Sequence, residues 1–140
     1  MPALYPYRIF ISHAWRYGSE YNRLVALLND APYFSYYNYS APKEKPLELS
    51  SNRASSAEIG RAITNKIANA QITLVLGGMY TLYHDWMQYE IEESYRMNKP
   101  IVAVRPWGQQ NMPSYLIQRA DRVVGWNSVS IVTAIRELVP

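Results

Sequence analysis

Trp86 and Glu90 stand four residues apart in the segment Trp86-Met87-Gln88-Tyr89-Glu90, so on a helix they share one face. Burial beside an aromatic wall disfavours a carboxylate's charge and raises its pKa. Glu90 is therefore one candidate for chemistry in this chain. It also has a plainer reading, as one of a solvated trio with Glu92 and Glu93. Trp86 likewise reads as a core aromatic that can still form one wall of a pocket. A second group of candidates is Ser12-His13-Ala14-Trp15. There, backbone amides can meet a phosphate and an aromatic ring can stack on a base, although His13 reads equally well as a loop hydrogen-bonder. Asn38 and Tyr39 form a third group, and Arg105 is placed either to pair with a phosphate or to stay on the surface. Asp85 reads as a first-turn acid favoured by the helix dipole.

These residues need elements to hold them. Arg8-Ile9-Phe10-Ile11-Ser12 is an apolar, β-forming run and predicts a strand. Tyr21, Leu24, Val25 and Leu28 fall at i, i+3, i+4 and i+7, a helix face that Asp30-Ala31-Pro32 ends. Residues 33–39 predict an aromatic second strand, and residues 40–51, with Pro42 and Pro46, a long loop. Ser55 with Glu58 forms a capping-box pattern ahead of Ile59, Ile63 and Ile67, a second helix ending near Asn69. Residues 71–76 are a continuous apolar run suited to a buried parallel strand. Residues 84–98 predict a third helix closed by Lys99-Pro100, and Ile101-Val102-Ala103-Val104 a fourth strand. A short helical piece over residues 114–118, a weak strand at Arg122-Val123-Val124 and a last helix follow. That helix is capped by Asn127 or Ser128 and turns Ile131, Ala134, Ile135 and Leu138 inward.

Strictly alternating strands and helices imply a parallel sheet with helices on both faces, joined by right-handed crossovers. The expected fold is α/β: a flavodoxin-like three-layer sandwich with a five-stranded parallel sheet in the order 2-1-3-4-5, one domain over residues 1–140. Such sheets bind ligands outside the carboxyl ends of their strands, beside strand 1. Ser12, Asn38, Tyr39, Arg105 and the start of the Trp86–Glu90 helix therefore converge on one edge.

Composition removes several alternatives. The chain has no cysteine and only two histidines, His13 and His84, which excludes disulfides and thiolate nucleophiles and leaves no expectation of a metal site. There is neither a Gly-x-x-x-x-Gly-Lys-Ser/Thr loop nor a Gly-x-Gly-x-x-Gly fingerprint. Strand 1 runs into Ser12-His13 and strand 3 into Leu76-Gly77, without the carboxylates of a Mg²⁺-dependent phospho-acceptor. The first strand's loop also lacks the Ser/Thr-rich cradle of a flavin-binding relative. A net charge of +3 with scattered bases gives no nucleic-acid footprint. No apolar run approaches the roughly 20 residues that span a bilayer, and the N-terminus lacks a signal-peptide pattern, so a cytoplasmic protein without membrane contact is expected. The thirteen tyrosines are the unusual count. Tyr33, Tyr36, Tyr37 and Tyr39, with Tyr21, form either a packed strand or a stacking surface.

The strand ending in Ser12-His13 and the Trp86-x-x-x-Glu90 segment together resemble the TIR (Toll/interleukin-1 receptor) domain family, and the resemblance spans essentially the whole chain because the element order agrees. The segment Asn38-Tyr39-Ser40-Ala41-Pro42, followed by Pro46-Leu47, is similar to the compact TIR-like branch of the bacterial Thoeris anti-phage system. Two departures stand out. Met87 occupies a position where many TIR domains have cysteine, and residues 42–46 replace the Arg-Asp…Pro-Gly loop of signalling adaptors. The resemblance implies an enzyme that takes NAD⁺ as substrate, needs no further cofactor and cleaves the nicotinamide–ribose bond. Glu90 would be its catalytic carboxylate, and Ser12, His13, Trp15, Asn38, Tyr39, Trp86 and Arg105 would line the substrate site. It further implies a cyclised ADP-ribose product that reaches a separate effector by diffusion, in antiviral defence. Because TIR domains also assemble through their loops and helices, a homo-oligomer or a non-catalytic interaction module is the competing expectation.

Overall fold

The structure, a computed structural model, describes residues 6–12, 19–39, 53–77, 84–105 and 112–140, and the side chains of 19–20, 53–59 and 84–86 lie outside that description. In chain order the elements are β1 (Tyr7–Ser12), α1 (Ser19–Asp30), β2 (Tyr36–Asn38), α2 (Arg53–Asn69), β3 (Ile72–Leu76), α3 (His84–Arg96), β4 (Ile101–Val104), α4 (Ser114–Arg119), β5 (Arg122–Val124) and α5 (Ser128–Leu138). All strand pairs are parallel, in the order β2-β1-β3-β4-β5. The expected α/β topology is thus the observed one.

Why these segments pair is visible in their side chains. β3 and β4 are buried along their whole length, as strands covered on both faces must be. Alternate residues of β1 point to opposite faces. Ile9 and Ile11 enter the main core, while Phe10 packs with Ile63, Ile67 and Ala70 of the α2 region. Ser12 shares parity with Phe10 and therefore faces the same side. Helix contacts sort the same way. α1 touches α5 on one side, and α2 packs against α3 on the other, where α4 joins through Glu92. Helices on both faces of one sheet make three layers.

Three expected boundaries are corrected. The second strand is not residues 33–39 but Tyr36–Asn38. Tyr33 sits in a left-handed conformation, φ 56°, which a strand cannot hold, and Phe34 stacks against Tyr7 and Tyr36 at 5.5 and 5.8 Å instead of extending the ladder. The second helix begins at Arg53, so Ser55 lies within its first turn and does not cap it. The third helix ends at Arg96, not Asn98. There Asn98, at φ 59°, forms a Schellman turn: its N–H donates to the Tyr95 carbonyl at 3.1 Å and the Lys99 N–H to Ser94 at 2.9 Å. Asparagine is the residue other than glycine that best tolerates this conformation.

The cap of α5 is settled in favour of Asn127, whose side chain accepts from the Ser130 N–H at 2.8 Å. Replacing Asn127 by Ala is expected to lower stability by about 1 kcal/mol, read as a shift in the urea midpoint with an unchanged slope. Among the described residues no helix is long and apolar enough to cross a membrane.

Candidate active site

Ser12 is the last residue of β1 and lies in register with Val75 of β3, so it marks the carboxyl edge of the sheet. Glu90 reaches this point from α3. The Ser12 hydroxyl donates to Glu90 Oε1 at 2.5 Å, and neither residue has any solvent exposure. Burying a carboxylate is costly unless it is hydrogen-bonded, and a bond this short falls in the charge-assisted range. One turn further on, Ser94 Oγ donates to the Glu90 backbone carbonyl at 2.8 Å and lies 2.8 Å from Thr73 Oγ1 on β3.

The three acidic residues of α3 meet different fates. Glu90 is buried on the sheet side. Glu92 turns to α4, where it accepts from the Tyr115 hydroxyl and from Arg119 Nε at 3.0 Å. Glu93 turns toward α2, accepting from Thr64 at 3.1 Å and from Arg96 of its own helix at 2.7 Å. The reading of all three as one solvated set is therefore corrected. A helix rotates by about 100° per residue, so neighbours cannot share a face. Tyr89 joins the second group, with its hydroxyl 2.6 Å from Thr64 Oγ1 and donating to the Gly60 carbonyl at 3.1 Å.

The Tyr115 hydrogen bond, with help from Arg119 and against a smaller burial effect, holds the Glu92 carboxyl below its ordinary value. Arg96 and Thr64 do the same for Glu93. A depressed folded-state pKa stabilises the fold above the unfolded value of 4.5 and ceases to do so as pH falls through the lower folded value. Both groups keep some solvent contact, so the effect is small. Between pH 6 and 3 the urea midpoint is expected to fall, beginning near pH 4.5. A Glu92→Gln, Glu93→Gln double variant should flatten that fall.

Other candidates sit as follows. Tyr39 is half-buried and packs with Phe10, Ile63 and Ile67, on the same sheet face as Ser12 and Glu90. Asn38 is exposed and turned the opposite way, its Nδ2 donating to the Tyr21 hydroxyl of α1 at 2.6 Å. Arg105 is exposed just past β4, where its N–H extends the ladder to Val124 at 2.9 Å. Trp86 belongs to α3, but its side chain, like all of His13 and Trp15, lies outside the described residues. The sequence places Ser12 beside a phosphate through its backbone, and the structure additionally turns its hydroxyl onto Glu90.

Ser94, Thr73, Thr64 and Tyr89 were not singled out from the sequence. A signal for Ser94 was present. Met87, Glu90, Ile91 and Ser94 fall at i, i+3, i+4 and i+7, and all four are buried, so two polar residues occupy an otherwise apolar stripe.

Among the described residues no cluster of acidic or imidazole side chains could hold a metal. A concavity of about 360 Å³ is lined by Tyr95, Lys99, Arg119 and Asp121 at the opposite edge of the sheet. Its cations are already engaged, Arg119 by Glu92 and the Tyr95 ring, and Lys99 by the Ala68 carbonyl at 3.0 Å.

A family model described as "Thoeris protein ThsB, TIR-like domain" matches residues 10–111. This chain belongs to the ThsB TIR-like family. The matched span contains both Ser12 and Glu90. No curated protein matches the chain by sequence. Solved structures of similar fold accompany the family match. A conserved protein from Enterococcus faecalis V583 superposes with a TM-score of 0.69 at 16% identity, over 95% of this chain and 99% of that one. Clostridium botulinum CMP N-glycosidase, BcmB, gives 0.55 at 12%, over 92% and 98%. A 2-deoxyribosyltransferase from Bacillus psychrosaccharolyticus gives 0.57 at 14%, over 88% and 90%. At these identities the likeness is one of fold.

Proposed function

We propose that this ThsB-family chain is an enzyme that cleaves the nicotinamide–ribose bond of NAD⁺ and releases an ADP-ribose signal, cyclised before water can intercept it. The observation that carries the proposal is Glu90, a buried carboxylate held at the carboxyl end of β1, the edge at which sheets of this topology take their ligands.

As the bond breaks, nicotinamide departs with the bonding electron pair and the ribose gains oxocarbenium character. A preorganised carboxylate stabilises that charge far better in a water-poor site than in bulk solvent. Cyclisation requires a ribose hydroxyl or an adenine nitrogen of the same molecule to attack the anomeric carbon first. Excluding water from the site favours that outcome. Two proteins of similar fold, a CMP N-glycosidase and a 2-deoxyribosyltransferase, are named for chemistry of the same broad kind. In the Thoeris setting the product would act on a separate effector, which gives the enzyme an anti-phage role.

The test is to incubate the purified chain with NAD⁺, alone and with lysate of phage-infected cells. Nicotinamide release is followed by chromatography, and linear and cyclic ADP-ribose are separated by mass spectrometry. Release that depends on Glu90 supports the proposal. A folded protein inactive in both conditions overturns it and leaves an interaction module.

A further inference from the structure

Resting on the reading of Glu90 as the reacting carboxylate, we propose that Ser12 is its positioning residue, fixing the direction of the carboxylate and keeping it an anion by donating its hydroxyl across the 2.5 Å contact from the end of β1. The core shows how much of its polarity is committed to this task. Among the described residues the buried polar side chains are Ser12, Thr73, Glu90 and Ser94, and all four belong to one string. Ser12 holds the tip of Glu90, while Ser94 holds its backbone carbonyl at 2.8 Å and meets Thr73 at 2.8 Å.

The two anchors come from adjacent strands in fixed register, Ser12 opposite Val75 and Phe10 opposite Thr73. Serine has a single short side-chain torsion, so little freedom is lost in aiming its hydroxyl. Every other described ionisable neighbour on α3 faces elsewhere: Glu92 to Tyr115 and Arg119, Glu93 and Tyr89 to Thr64 of α2. A hydrogen bond donated to the charged form favours that form. A carboxylate held this way is suited to stabilise a developing cation.

A merely structural tie between helix and sheet would leave the state of Glu90 untouched, so the test reads that state directly. In the free, full-length protein the Glu90 carboxylate stretch is assigned in the infrared by its loss in Glu90→Gln. In Ser12→Ala the band should shift or vanish at neutral pH, and in Ser12→Thr it should persist. Where the alanine variant does not fold, Ser12→Cys carries the same test, because it is nearly isosteric but a weak donor. With NAD⁺, Ser12→Ala should lower kcat about tenfold to a hundredfold with KM changed less than about twofold, and threonine should restore kcat. An unchanged band in Ser12→Ala or Ser12→Cys overturns the proposal. The expected band changes in a chain whose wild type releases no nicotinamide would uphold the positioning role and sink the enzymatic reading, so the two failures are separable.

Discussion

Glu90→Gln is expected to slow nicotinamide release about 10²–10³-fold, the typical loss when one preorganised electrostatic group is removed from an active site. Glutamine keeps the volume of the side chain, and its carbonyl oxygen can still accept from Ser12, so that contact can survive while the charge does not. The melting temperature of the variant, measured beside its rate, separates a loss of charge from a loss of fold. A variant that retains activity within a few-fold would show that the reaction does not use this charge, whatever else the site does.

Phe10→Ala should have the largest effect on folding, a loss of about 3–5 kcal/mol against a total stability for such a domain of about 5–15 kcal/mol. Phe10 is fully buried and is the aromatic centre of a separate small cluster with Ile63, Ile67 and Ala70, flanked by Tyr39, Tyr89 and Met97. With so few partners, the remaining side chains cannot close the cavity. The damage should be local before it is global. α2 would lose its main apolar attachment, and with it the Thr64 contact to Tyr89. Hydrogen exchange should thus accelerate across α2 at denaturant concentrations where β3 and β4 remain protected. A loss below about 1 kcal/mol in urea titration would mean that the helix settles into the gap instead.

The sheet was readable in advance where burial is two-sided. Ile72–Leu76 and Ile101–Val104 are unbroken apolar runs, and nothing competes with the strand reading. β2 was over-extended because Tyr33 and Phe34 carry high strand propensity, yet the chain must still turn out of α1 there, and the left-handed Tyr33 accomplishes that turn. The Ser55–Glu58 pattern misplaced the start of α2, because local capping chemistry does not reveal that the helix already runs from Arg53. At the site, the Trp86–Glu90 spacing by itself fits a solvated acid equally well, and the resemblance of that segment to the TIR motif is what singles out Glu90. Its separation from Glu92 and Glu93 was not legible, since that depends on what α2 and α4 bring opposite each residue. The role of the Ser12 side chain was hidden for a similar reason: its partner is 78 positions away in the chain, and only the docking of α3 on the sheet joins them.

The ties of Glu90 to Ser12 and, through Ser94, to Thr73 fasten α3 to two neighbouring strands. A slide or tilt of that helix would break both ties at once, so α3 and the middle of the sheet should exchange their amide hydrogens as one cooperative unit.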